Sequence, residues 1–198
     1  SGRWSHWSPP VQFVAGAPTN PPISSVVISE IMYHPLPEQH FSGDDLEFIE
    51  LFNVGTDAVD LSNVRLMDGI DYTFPPGTVL PGGRPIVLAR SRDAFFARYD
   101  FHPHGEYDRR LSNGGDTLTG VDPYGRTLFS VTYDDSSPWP ESADGKGASL
   151  VHSPLRSNPA DPSSWRASIA LHGSPGGYDP APLVLSEVLS VPGPGQDI

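Results

Sequence analysis

The sequence predicts an all-β protein, a β-sandwich carrying one short helix. Two observations lead there. Short apolar or aromatic runs such as VVISEIMY and LEFIELFN recur along the chain, and turn residues separate them. The 23 prolines and 20 glycines fall between these runs, not in one biased tract, so they read as turns and not as disorder. Seven or more short strands with this punctuation suit two packed sheets.

The elements follow in order. VVISEIMY and LEFIELFN are the first two strands. Val64 to Phe74 reads as a hairpin through Asp68-Gly69, a pair that tolerates positive φ. Phe74-Pro75-Pro76-Gly77 and Pro81-Gly82-Gly83 turn the chain before a strand at Arg84–Ala89. Arg92–Tyr99, RDAFFARY, is the one short helix, with Ser91 placed to cap it. After a turn at Asn113–Asp116, strands at Thr117–Val121 and Leu128–Tyr133 flank the hairpin loop Asp122-Pro123-Tyr124-Gly125. A last strand is expected near Ser149–His152.

Composition narrows the function. There is no cysteine, which removes disulfides and thiolate metal sites. With 24 acidic against 12 basic residues the net charge is −12, and such a field repels phosphate, so nucleic-acid binding is not expected. The charge suits solubility, calcium or cationic partners. No run approaches the roughly 20 apolar residues of a membrane helix. Ser1–Pro10 has neither the basic nor the apolar region of a signal peptide.

Four zones are expected. Residues 1–14, SGRWSHWSPPVQFV, read as the end of an upstream β-domain, and 15–22, AGAPTNPP, as a linker. The body runs over 23–178. Residues 179–198 read as a second linker and the first strand of another domain, because Leu183-Val184-Leu185-Ser186-Glu187-Val188 repeats Val26-Val27-Ile28-Ser29-Glu30-Ile31. A repeat at that distance is too long for a solenoid and fits tandem domains, so the chain reads as an excised piece of a longer protein.

The body resembles the lamin tail domain, in the form found in bacterial extracellular proteins. The pieces that carry this are ISEIMYHP (Ile28–Pro35), LEFIELFNVG (Leu46–Gly55), VDLSNVRLMDG (Val59–Gly69), YTFPPGTVLPGGRPIVLA (Tyr72–Ala89), LSNGGDTLTGVDPYG (Leu111–Gly125), YDDSSPWP (Tyr133–Pro140), DGKGASLVH (Asp144–His152) and the Trp165 region closing on Ser174-Pro175-Gly176-Gly177. Their shared order implies an immunoglobulin-like sandwich that is not an enzyme. It also implies an extracellular or cell-envelope setting and a structural or protein-interaction role beside other domains of the same chain, while the lack of a long apolar run leaves no membrane insertion expected. Glycan is the alternative partner. Trp4-Ser5-His6-Trp7-Ser8 is similar to the WSxWS element near the last strand of fibronectin type III domains.

The candidate functional residues each have two readings. Asp44, Asp45 and Glu47 form an acidic loop that either is simply solvated or supplies oxygen ligands to calcium, the one cofactor considered. Trp139, between two prolines, and Trp165 either pack at the end of the sandwich or form an aromatic platform for glycan or peptide. Period-two alternation puts Glu50 on one face of its strand and Glu47 on the other. At least one is expected to be half-buried and held by Arg65, Arg84 or a backbone N–H. The enzymatic reading makes them a hydrolase acid/base pair. His102-Pro103-His104, with His34 and His40, offers imidazoles but no zinc signature. No catalytic residue follows from the resemblance.

Overall fold

The computed structural model describes residues 25–180. The strands are β1 (Val26–Met32), β2 (Phe48–Asn53), β3 (Val59–Asp60), β4 (Arg65–Asp68), β5 (Tyr72–Thr73), β6 (Val79–Leu80) and β7 (Pro85–Ala89). After helix α1 (Arg92–Tyr99) come β8 (Gly105–Glu106), β9 (Asp116–Val121), β10 (Thr127–Tyr133), β11 (Leu150–His152) and β12 (Trp165–Ala167). Six strands form one sheet in the order β12-β11-β1-β2-β7-β8, and four form a second, β10-β9-β4-β5, while β3 and β6 pair separately. All pairings are antiparallel except β7 with β8. The molecule is an immunoglobulin-like β-sandwich with one short helix.

The core lies between the sheets. Ile28, Ile31, Ile49, Leu51 and Leu88 from the six-stranded sheet meet Leu66, Leu118 and Val131 from the four-stranded one. A smaller cluster covers the outer face of the large sheet, where Met32, Phe48, Val87 and Ala89 pack against Phe95 of α1. Alternation along β2 and β7 explains both layers: Ile49, Leu51, Ile86 and Leu88 point inward, while Phe48, Val87 and Ala89 point outward.

β1 does not alternate cleanly. Its register against β2 runs Ile28 opposite Leu51, then Glu30 opposite Glu50, then Ile31 opposite Ile49. Ser29 and Glu30 therefore share one partner residue, which is a β-bulge. The extra residue shifts the parity, so Ile28 and Ile31, three apart, both reach the core. Ser29 and Glu30 lie together on the outer side, beside Glu50.

The expected helix stands at Arg92–Tyr99, and the Ser91 hydroxyl accepts from the Ala94 N–H at 3.4 Å. Asp100 ends it in the left-handed region with φ 58°, its N–H bonded to the Phe96 carbonyl. β4 and β5 form the expected hairpin, and Asp68 takes the positive φ of 75°. The short strands β3, β6, β8 and β12 were not expected: they are too short to show a period, and no turn signal or resemblance singled them out as β5 and β11 were. Residues 1–14, 15–22 and nearly all of 179–198 lie outside the described residues. Asp179 is an exception, and it belongs to the body and not to a linker. It is buried, its carboxylate pairs with Arg166 of β12, and it accepts from the N–H groups of Ile169 and Ala170.

Candidate functional site

Each expected ligand of the acidic loop has its own partner. Asp44, in a single 3₁₀ turn with Asp45, pairs with Arg110 at 2.8 Å. Asp45 accepts from the N–H and hydroxyl of Ser42 at 3.0 and 2.6 Å. Glu47 is wholly buried and turns inward. Its Oε2 accepts from the Leu111 N–H at 2.9 Å and the Tyr107 hydroxyl at 3.3 Å. This corrects the expectation that the three act as one oxygen cage: alternation carries Glu47 into the interior and away from the two exposed aspartates. Among the described residues no three His, Asp or Glu groups converge as a metal site.

The aromatic platform is corrected as well. Trp139 and Trp165 are only 8% and 5% exposed, with ring centroids 5.9 Å apart. His152 stacks on Trp165 at 4.9 Å, and the indole N–H donates to the Pro159 carbonyl at 2.9 Å. The pair seals one end of the core. His102 stacks on Phe96 at 4.4 Å, and the backbone N–H of His104 bonds to Val87.

Carboxyl burial goes further than expected. Glu30, Glu47 and Glu50 are all buried. None is paired with Arg65 or Arg84, since Arg65 pairs with Asp71. Burial pushes Glu47 up to about 8 and Glu30 up to about 7, and it raises Glu50 as well. Glu47 and Glu50 occupy opposite faces of β2, so they cannot flank one scissile bond as a hydrolase pair must. Glu30 and Glu50 do face each other. Glu50 Oε1 contacts the Ser29 hydroxyl at 2.6 Å and Oε2 accepts from the Gly176 N–H at 2.7 Å. Glu30 Oε1 contacts the Ser149 hydroxyl and accepts from the Ser174 N–H at 2.8 Å. Sequence reasoning overlooked Glu30 and its serines. The apolar spacing of β1, inward at 26 and 28 but then at 31, was the signal of a bulge that would have placed them.

The surface offers an open groove of about 480 Å³ beside the start of β7. Val79, Pro85, Phe101, Arg84, His102 and His104 line it. Val79 is 54% and Phe101 36% exposed. No carboxylate of the described residues pairs with Arg84. A second depression of about 410 Å³, between Asp44 and Arg110–Gly114, is polar.

The sequence matches the family model of the Lamin Tail Domain over residues 19–135, more than half of the chain. The chain belongs to the lamin tail domain family. No curated protein matches the sequence. The lamin tail domain is a non-enzymatic immunoglobulin-like module. The matched stretch of this one contains the inner carboxyl Glu47 with both its partners. It also contains Glu30 and Glu50, but Ser149, Ser174 and Gly176, which hold them, lie beyond residue 135.

Proposed function

We propose that this lamin tail domain is a protein-interaction module of a secreted or envelope-associated bacterial multidomain protein, joined to neighbouring domains through its flanking segments. On this reading residues 1–14 end an upstream β-domain and Leu183 opens a second lamin tail domain. The observation that carries the interaction role is the groove beside β7. Val79, Pro85 and Phe101 give it apolar surface, Phe101 stands exposed at its edge, and Arg84 is in no ion pair among the described residues. A groove of this volume suits a short segment of a partner chain. Its chemistry favours a segment that combines carboxylates with apolar side chains, because acidic groups would meet Arg84 in a molecule whose own net charge is −12.

The test uses a panel of short peptides rich in Asp, Leu and Phe, beside a panel with Lys in place of Asp. Amide shifts are followed in the labelled protein. Perturbation confined to Val79–Val87 and Phe101–His104, given by the acidic panel and lost in Arg84→Glu, supports the reading. Equal binding of both panels, or shifts elsewhere on the surface, removes the groove from it. Hydrolysis of a glycan, ester or phosphodiester that disappears in Glu50→Gln would overturn the non-catalytic role itself.

A further inference from the structure

We propose that residues 172–179 are a proton-sensitive latch, fastened across the outer face of the large sheet by Glu30 and Glu50 and loosened when both carboxyls ionise. This inference does not rest on the groove's role as a docking surface.

The strap is anchored firmly at its two ends. At the start, the His172 N–H bonds to Gly147 at 2.6 Å and the His172 carbonyl accepts from the Tyr99 hydroxyl at 2.5 Å. At the finish, Asp179 is held by Arg166 and by the N–H groups of Ile169 and Ala170. Between these anchors, the hydrogen bonds from the strap to the sheet all go to the two carboxyls. The Ser174 N–H and hydroxyl reach Glu30, and the Gly176 N–H reaches Glu50. The fit is close. A Cβ at Gly173, where φ is +81°, would lie 2.5 Å from Glu30 Oε1, and one at Gly176 would lie 3.2 Å from the Phe101 ring.

Both carboxyls can be satisfied in either protonation state, because each also meets a serine hydroxyl. A hydroxyl donates to a carboxylate and accepts from a carboxylic acid. Ser29 shows this directly: its Oγ lies 2.6 Å from Glu50 Oε1 and 3.2 Å from the Glu50 carbonyl. When Glu50 is neutral it donates to Ser29, which donates onward to that carbonyl. The site is therefore built to hold a proton and to exchange it.

Ionising both groups sets two negative charges on adjacent cross-strand positions, under cover and out of water. The Ser149 and Ser174 donors to Glu30 and the Ser29 and Gly176 donors to Glu50 favour the charged forms, but the cost of burial outweighs them. Asp179 adds negative charge but is neutralised by Arg166, and Glu38 is paired with Arg98 at 2.6 Å. Burial keeps Tyr99 neutral, and burial together with Arg98 lowers the His172 pKa, which disfavours its charged form. No cation among the described residues contacts Glu30 or Glu50. Water must reach the pair once both are charged, and the strap is what stands between them and solvent. Gly176 also borders the groove beside Phe101, so loosening the strap reshapes that groove.

The experiment follows amide exchange at Ser174 and Gly176 in the whole chain from pH 5 to 9, corrected for the intrinsic pH dependence of exchange. The side-chain carboxyl carbons of Glu30 and Glu50 are titrated in parallel. Protection of both amides is expected to fall by about tenfold or more as the carboxyls ionise, the change that one unit of pKa displacement brings. Exchange at Ile49 and Leu88 in the core is expected to stay slow. In Glu30→Gln/Glu50→Gln, whose amides imitate the neutral acids, protection is expected to stay high at every pH. Protection that does not change with pH in the unaltered chain overturns the latch. So does a fall that persists in the double variant. Should that variant not fold, the carboxyl titrations still decide: a strap transition more than about one pH unit from both carboxyl midpoints overturns the proposal.

Discussion

The two faces of β2 bury glutamates in different ways. On the inner face, Glu47 takes its donors from Leu111 and Tyr107, in the loop that follows β8 and inside the stretch that matches the family. On the outer face, Glu50 and its neighbour Glu30 take backbone donors from Gly176 and Ser174, more than a hundred positions further along the chain. The inner carboxyl is part of the sandwich as the family defines it. The outer pair is completed only by the C-terminal strap. The folding unit of this protein therefore extends to Asp179, well past the end of the family match.

Removing the C-terminal side of the domain has the largest expected effect. A chain ending at Asp135 keeps Glu47 and its partners but loses β11, β12 and the strap. It also loses Trp139, Leu150 and Trp165 from the core. Large core side chains contribute about 2–5 kcal/mol each, against a total stability of about 5–15 kcal/mol. The truncated chain is expected to show no cooperative thermal transition by circular dichroism. A normal transition would mean that the strap side is dispensable.

The next test is pH, which acts on both faces. Glu30 and Glu47, at about 7 and about 8, hold protons more tightly in the folded chain than at the ordinary value of 4.5. Their stabilisation is complete below pH 4.5 and is lost as pH rises through 7 and 8. The unfolding free energy from denaturant titration is expected to drop between pH 5 and 8.5 by an amount on the order of 3 kcal/mol for Glu30 alone. Glu47→Gln should flatten the upper part of that slope and Glu30→Gln the lower part. If both variants keep the full slope, the buried carboxyls are not its source, and general charge repulsion in an acidic chain is.

Gly173→Ala separates the faces by steric means. It forces a side chain into positive φ and against Glu30, Phe48 and Ser149. A cost of about 1–3 kcal/mol is expected in urea unfolding, with the Leu111 amide resonance beside Glu47 unmoved. The smallest effect is expected on the helix. Ser91→Ala removes a long cap hydrogen bond and should cost about 0.5–1 kcal/mol in the same measurement.

Much of the fold was legible because its signals are local. The β1 and β2 runs, the hairpin at Asp68, the strand at Pro85–Ala89 and the Ser91 cap all rest on period, turn chemistry or a single side chain. The short strands β3, β6, β8 and β12 were not legible, because they are too short to show a period and no turn signal or resemblance singled them out. The candidate sites carried two readings each in the sequence, and a residue's surroundings decide between them. Asp44, Asp45 and Glu47 are close in sequence, yet the step from turn to strand turns Glu47 away from the others. Trp139, held between prolines, is a core residue because the chain that follows folds over it.

By itself, then, the sequence determined the sandwich, its helix, its family and the alternation that sends Glu47 and Glu50 to opposite faces of one strand. Those features follow from backbone geometry and the order of apolar and polar residues, which any chain carries along its own length. Only the tertiary structure decided that Glu30 faces Glu50, that Ser149, Ser174 and Gly176 enclose the pair, and that Asp179 closes the domain. A buried carboxyl is stable only when donors reach it, and here those donors arrive from residues 119 to 144 positions away for Glu30 and 126 for Glu50. No local pattern records a partner at that distance.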